Sequence, residues 1–120
     1  MKDYLRLYNE CIEELQAIHI MPSPVRRMVV GEVPNGCLGI CQHYTDDTYE
    51  IHLSPVLEDE RISDILIKSV IIHELLHTLP DCMDHDKNGK WGWLADCVMQ
   101  KYPQYNLRAH KKSEIYDLGQ

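Results

Sequence analysis

The chain has 120 residues, 44% apolar and 26% charged, with five cysteines, seven histidines and a net charge of −7 from 12 Lys+Arg against 19 Asp+Glu. That length holds one core rather than two, and the composition is globular, not disordered. The acidic balance argues against a protein whose main task is to coat nucleic acid, which needs a basic face that releases counterions.

Cysteines at 11, 37, 41, 82 and 97 are odd in number, so a complete disulfide framework would leave one over, and reduced thiols are expected. The N-terminal run MKDYLRLYNECIEELQ carries acids throughout and does not read as a secretory signal. No stretch reaches the roughly 20 apolar residues of a membrane helix. The longest candidate, Ile62 to Leu79, is interrupted by Asp64, Lys68, His73, Glu74 and His77. A cytoplasmic protein with no membrane partner is expected.

From Asp3 to Ile18 the apolar residues Leu5, Tyr8, Ile12, Leu15 and Ile18 recur at threes and fours, which predicts an amphipathic helix. Two prolines between Met21 and Pro24 end it. Val25 to Val33 is rich in β-branched residues and reads as a strand, with Gly31 marking a bulge or bend. Pro34-Asn35-Gly36 is a turn signal. Cys37 to Tyr44, the polar break Thr45-Asp46-Asp47, and Thr48 to Leu53 then read as a hairpin. In its second strand Tyr49, Ile51 and Leu53 form an apolar face opposite Glu50 and His52. Ser54-Pro55 is a strand stop and a cap signal. The longest periodic stretch, Asp59 to Leu79, predicts a central helix closed by Pro80. Asp81 to Lys90 is a polar loop, Trp91 to Tyr102 a closing helix, and the polar residues after Pro103 read as a loosely docked tail. The expected architecture is α+β: an N-terminal helix, a three-stranded antiparallel sheet, a central helix, a loop and a C-terminal helix.

The central helix carries His73-Glu74-Leu75-Leu76-His77. Side chains at i and i+4 project from one helix face, so both imidazoles can reach a single metal ion, with nitrogens about 2.0–2.1 Å from zinc. Glu74 stands one position round, where it can take a proton from an attacking water without being a ligand. A catalytic zinc takes three protein ligands and keeps one position open. His85, eight residues after His77 and beyond Pro80, is the third-ligand candidate. Asp81, Cys82, Asp84, Asp96 and Cys97 compete, and Asp81, Asp84 and Asp96 are also candidates to accept from the ligand rings. His43 and Tyr44 on the hairpin could face a peptide added to the sheet edge, whereas His52 falls on the polar side. Trp91 and Trp93 are expected to pack the last helix against the metal loop. Arg108, Lys111 and Lys112 make a small basic, solvated tail.

Metzincins place their third histidine six residues after the second, where this chain has Met83, and thermolysin-like enzymes take a Glu about 20 residues on, where it offers only Asp96 or Cys97. The run HELLHTLPDCMDHDKNGKWGWLADCV instead resembles the signature of the SprT-like family of zinc metallopeptidases: HExxH, a histidine in a loop, and an aromatic residue opening the last helix. The resemblance spans about residues 5–107, as one zincin-like domain over residues 1–120 with 108–120 as tail. It implies one Zn2+ on His73, His77 and His85, Glu74 as general base, and a protein or peptide substrate. DNA association is also implied by the family and is not supported by the charge of this chain. The sequence departs from the pattern in its shorter loop, with Asp86 directly after His85, and in having no CxxC pair after Asp96. Two other readings stay open. One is a non-enzymatic, zinc-stabilised module that recruits a protein or nucleic-acid partner and needs a fourth ligand, Cys82 or Asp84. The other is a three-histidine RNA hydrolase, whose spacing fits less well and leaves Glu74 without a role.

Overall fold

A computed structural model describes residues 2–34, 36–83, 85 and 89–108. Of the expectations above, Asn35 of the turn signal, Asp84, Asp86 and the tail beyond Arg108 lie outside those residues.

Helix α1 (Tyr4–Ala17) starts at Asp3, whose side chain accepts the Arg6 amide. It buries Leu7, Cys11 and Leu15, with Tyr4, Tyr8, Ile12 and Ile18 half-buried beside them. Leu5, expected on this stripe, is 70% exposed. The inward face runs at 4, 7, 11 and 15, because the small apolar thiol of Cys11 packs where a larger side chain was expected.

Strands β1 (Val25–Val30), β2 (Gly39–His43) and β3 (Tyr49–Leu53) form one sheet in the order β1-β3-β2. The β2–β3 hairpin is antiparallel, with Cys41 opposite Ile51. β1 pairs with β3 in parallel, so the sheet is mixed and not antiparallel throughout. The chain reaches β2 before β3, and the hairpin turns back so that β3 lies between the other two. β1 ends at Val30, since Gly31 donates its amide to Leu53 O at 3.0 Å and the chain then leaves the sheet. The register slips between Val25 and Arg27. Such a bulge re-aims side chains, and here both Arg26 Nε and Arg27 Nε reach Glu50 Oε2, at 2.8 and 3.0 Å.

Glu50 therefore differs from the solvated residue that strand alternation predicts: it is buried. Arg26 above all, then Tyr44, His52 and Arg27, hold its carboxyl down to about 2 against the opposing cost of burial.

The predicted 59–79 helix is shorter at both ends, and a separate turn precedes it. Pro55–Glu58 is one 3-10 turn, capped by Ser54 Oγ on the Val56 amide at 3.3 Å. Asp59 folds onto Arg61, and α2 (Asp64–Leu76) begins after Ser63, whose hydroxyl accepts the Leu66 amide. Ser63 outcompetes the upstream residues as a cap because its oxygen satisfies an otherwise orphaned N–H. From Ile67 to Leu76 every residue of α2 is buried, against β2 and β3 on one side and α1 and α3 on the others. Helix α3 (Lys90–Lys101) follows Gly89, whose φ of +73° favours glycine. Trp91 is buried, but Trp93 is 65% exposed. The segment after α3 is not loosely docked: Tyr105 and Leu107 are buried, and the Asn106 amide donates to Ser69 Oγ at 3.2 Å. No helix among the described residues is long and apolar enough to cross a membrane.

Ile71 is fully buried in α2, so Ile71→Ala should cost about 2–5 kcal/mol in urea unfolding through lost burial and an unfilled cavity. The Glu50 carboxyl sits lower in the folded chain than its ordinary 4.5. Its contribution is therefore complete above about pH 4.5 and lost as pH falls towards 2. In Glu50→Gln, acid titration of stability should be flatter across that window than in the parent.

Candidate metal centre

His73 and Glu74 lie in the last turn of α2, and His77 is its C-cap. Both histidines are buried. His73 Nδ1 donates to Leu107 O at 2.5 Å, and His77 Nδ1 donates to Cys82 O at 2.7 Å. A carbonyl only accepts, so each ring carries its proton on Nδ1 and has its lone pair on Nε2, the atom a metal would take.

Two short devices deliver those carbonyls. After Leu79, Pro80 ends the helical path, and Asp81 takes a left-handed φ of 63°. The Cys82 amide then meets Leu79 O at 3.2 Å, which turns the Cys82 carbonyl back under His77. The second device is the 102–108 strap, which Ser69 and buried Leu107 fasten across α2.

His85 returns from the loop to bring its Nε2 within 3.0 Å of His73 Nε2. One ligand atom from each of His73, His77 and His85 lies within 4.8 Å of the others, the metal-binding group among the described residues. Nitrogens held tetrahedrally on one ion at the usual bond length stand about 3.3 Å apart. The spread of 3.0 to 4.8 Å brackets that value, so modest ring rotation centres an ion on three imidazoles. The residues fit a metal ion. Trp91 packs on the three rings, with centroids 4.6, 5.6 and 4.5 Å away, and donates its Nε1–H to His73 O at 3.3 Å.

Glu74 is buried with its Oε2 4.0 Å from His73 Nε2, beside the ligand set and outside it. Burial pushes its carboxyl up to about 8, and a cation on the imidazoles would pull it down again. The group opens onto a cleft of about 230 Å³ whose far wall is β2, through Gly39, Ile40 and Cys41, with Met83 at the rim. A Cβ on Gly39 would stand 3.1 Å from Val70 Cγ1, 3.2 Å from His52 O and 3.4 Å from Glu74 Oε2. Glycine lets the strand approach the helix that closely. Burial, and then the Glu74 carboxylate, pushes the Cys41 thiol up to about 12, so it faces the cleft uncharged.

Asp81, Cys82, Asp96 and Cys97 do not join the ligand group. Cys82 acts through its carbonyl, and Asp96 pairs with Arg108 at 2.8 Å. His43 meets Asp47 and stacks on Tyr49, while Tyr44 and His52 bond Glu50, so none of the three lines the cleft. For His73 and His77 the acceptor of the ring N–H is a main-chain carbonyl and not Asp81 or Asp96, while Asp84 lies outside the described residues.

Cobalt(II), whose visible spectrum reports coordination, should bind in one equivalent, and His73→Ala should abolish that spectrum. Ser69→Ala should loosen the strap and weaken binding roughly tenfold while leaving the stoichiometry intact. No protein-family model matches the chain, and no curated protein and no solved structure is detectably similar to it.

Proposed function

We propose that this chain is a zinc-dependent peptidase with a zincin-like centre: His73, His77 and His85 hold the ion and Glu74 is the general base. The observation that carries the reading is the buried Glu74 carboxylate next to three imidazoles that converge on one point, at the mouth of a cleft along a sheet edge. Three neutral imidazoles suit zinc in a site with an open fourth position. When bound, the ion supplies Lewis-acid polarisation of the scissile carbonyl and acidification of a water molecule.

The protein's own groups do the rest. Glu74 takes the proton of the attacking water and delivers it to the departing amine nitrogen, while burial keeps competing solvent from the carboxylate. Leu107 O and Cys82 O hold two ligand rings in one tautomer and orientation, so no reorganisation is needed when charge develops. The β2 edge runs beside this point and offers main-chain groups to an extended peptide. The likeness of the His73–Trp93 run to the SprT-like signature supports the same reading, and Trp91 holds the place of its aromatic residue against the ligand rings.

Zinc-loaded wild type should cleave an unfolded test protein. Glu74→Gln should keep its zinc and lose about 10²–10⁴ in rate. If wild type holds zinc and cuts nothing that Glu74→Gln spares, the peptidase reading fails, and a zinc-stabilised binding module takes its place.

A further inference from the structure

The two edges of the sheet face different chemistry. β2 borders the histidine cleft, whereas β1, the opposite edge, borders a second groove of about 280 Å³ against α1. Four consecutive residues of β1, Val25 to Met28, line that groove together with Tyr4, Leu5 and Tyr8. Both faces of the strand therefore meet it, as happens when a strand edge is accessible.

The Gly31 amide points to β3, and alternation along a parallel strand turns the N–H and C=O of Met28 and Val30 the other way, outward. Among the described residues, no loop or side chain hydrogen-bonds them. β1 is six residues long and contains no proline; the devices it carries are a bulge and two arginines, both in its first half, which leaves Met28 to Val30 regular.

We propose that the β1 edge accepts an extended segment of a partner protein as a fourth strand, and that the segment alternates acidic with apolar side chains. A residue paired opposite Arg27 would stand on the outer face of the sheet. There the bulge gathers two guanidiniums onto a single carboxylate oxygen; Asp46 also acts on Arg26, and Arg27 meets the shared oxygen at the longer 3.0 Å. The side chains of Arg26 and Arg27 remain 47% and 63% exposed. An acidic side chain at that position forms a favourable cross-strand pair. Its neighbours along the segment point to the inner face and enter the groove between Tyr4, Tyr8, Leu5 and Met28. Leu5 is then an exposed apolar residue with a partner to cover. A second copy of this chain fits poorly, because pairing two β1 edges sets arginine against arginine. The proposal does not depend on the metal centre, which lies at the other edge.

The test is selection from phage-displayed random dodecapeptides on the intact chain, followed by fluorescence polarisation of the enriched peptides as synthetic probes. Enriched peptides should alternate acidic and apolar residues and should weaken at higher salt. Leu5→Glu changes an exposed helix position and should weaken them at least tenfold. Met28→Pro removes an outward N–H that the β3 ladder does not use, which an edge strand tolerates, and it should weaken them similarly. Leu5→Glu keeps the test decisive if Met28→Pro fails to fold. The proposal is overturned by failure to enrich, by enriched peptides without acidic residues, or by peptides that bind Leu5→Glu as tightly as wild type. It is equally overturned if sedimentation shows a dimer that Met28→Pro dissolves, or if single-stranded DNA displaces the peptides.

Discussion

The structure depends on one constraint: helix α2 is buried from Ile67 to Leu76 yet carries Lys68, Ser69, His73 and Glu74 along that length. A buried polar group without a partner costs about 1–3 kcal/mol, so neighbouring elements are arranged to answer Lys68, Ser69 and His73, while Glu74 faces the cleft. Helix α1 supplies Glu14 to Lys68 at 2.6 Å, and Glu14 is in turn bonded by the Tyr105 hydroxyl. The strap after α3 gives Ser69 the Asn106 amide and gives His73 the Leu107 carbonyl. Thr78, just past the helix, accepts the Ser23 amide and so ties the end of α2 to the segment that leads into β1. The interactions that stabilise the core are the same ones that orient the candidate ligands. Loosening the strap is therefore expected to reach stability and metal binding together.

The parts of this arrangement legible in the sequence are those carried by side-chain identity and spacing. His73, Glu74, His77 and His85 are named by their chemistry, and the loop after Pro80 is too short to hold His85 far from the helix. The hairpin was legible from its alternation and polar turn. The orienting carbonyls were not, because any residue at 82 or 107 has one, and only the fold decides where it points. The strap was hidden for a related reason: Tyr105 and Leu107 are two anchors in a polar stretch, too few to show a period.

Glu50 escaped prediction because alternation assigns a residue to a face of the sheet without saying what covers that face. The bulge in β1 puts two consecutive arginines over it, and no spacing rule in one strand reports a slip against another. The parallel pairing of β1 has the same origin. Its sequence is compatible with either direction, and the direction is set by the hairpin placing β3, not β2, beside it. For α1 the difficulty was ambiguity: Leu5 and Leu7 begin two overlapping stripes, and counting Tyr4 and Cys11 as apolar selects the buried one.

A three-stranded sheet with its middle strand last in sequence leaves two free edges, and the residues along them divide the molecule's chemistry. On the β2 side Gly39 removes the side chain that would hold strand and helix apart, so main-chain groups come close to Glu74. On the β1 side a bulge brings two arginines together next to an apolar groove. Between them β3 contributes Ile51 and Leu53 to the core and Glu50 to the outer face. The same strand thus anchors the wall of the histidine cleft and neutralises one of the two arginines opposite it. Net charge alone conceals this, because a chain of −7 can still bring two exposed guanidiniums onto one shared carboxylate.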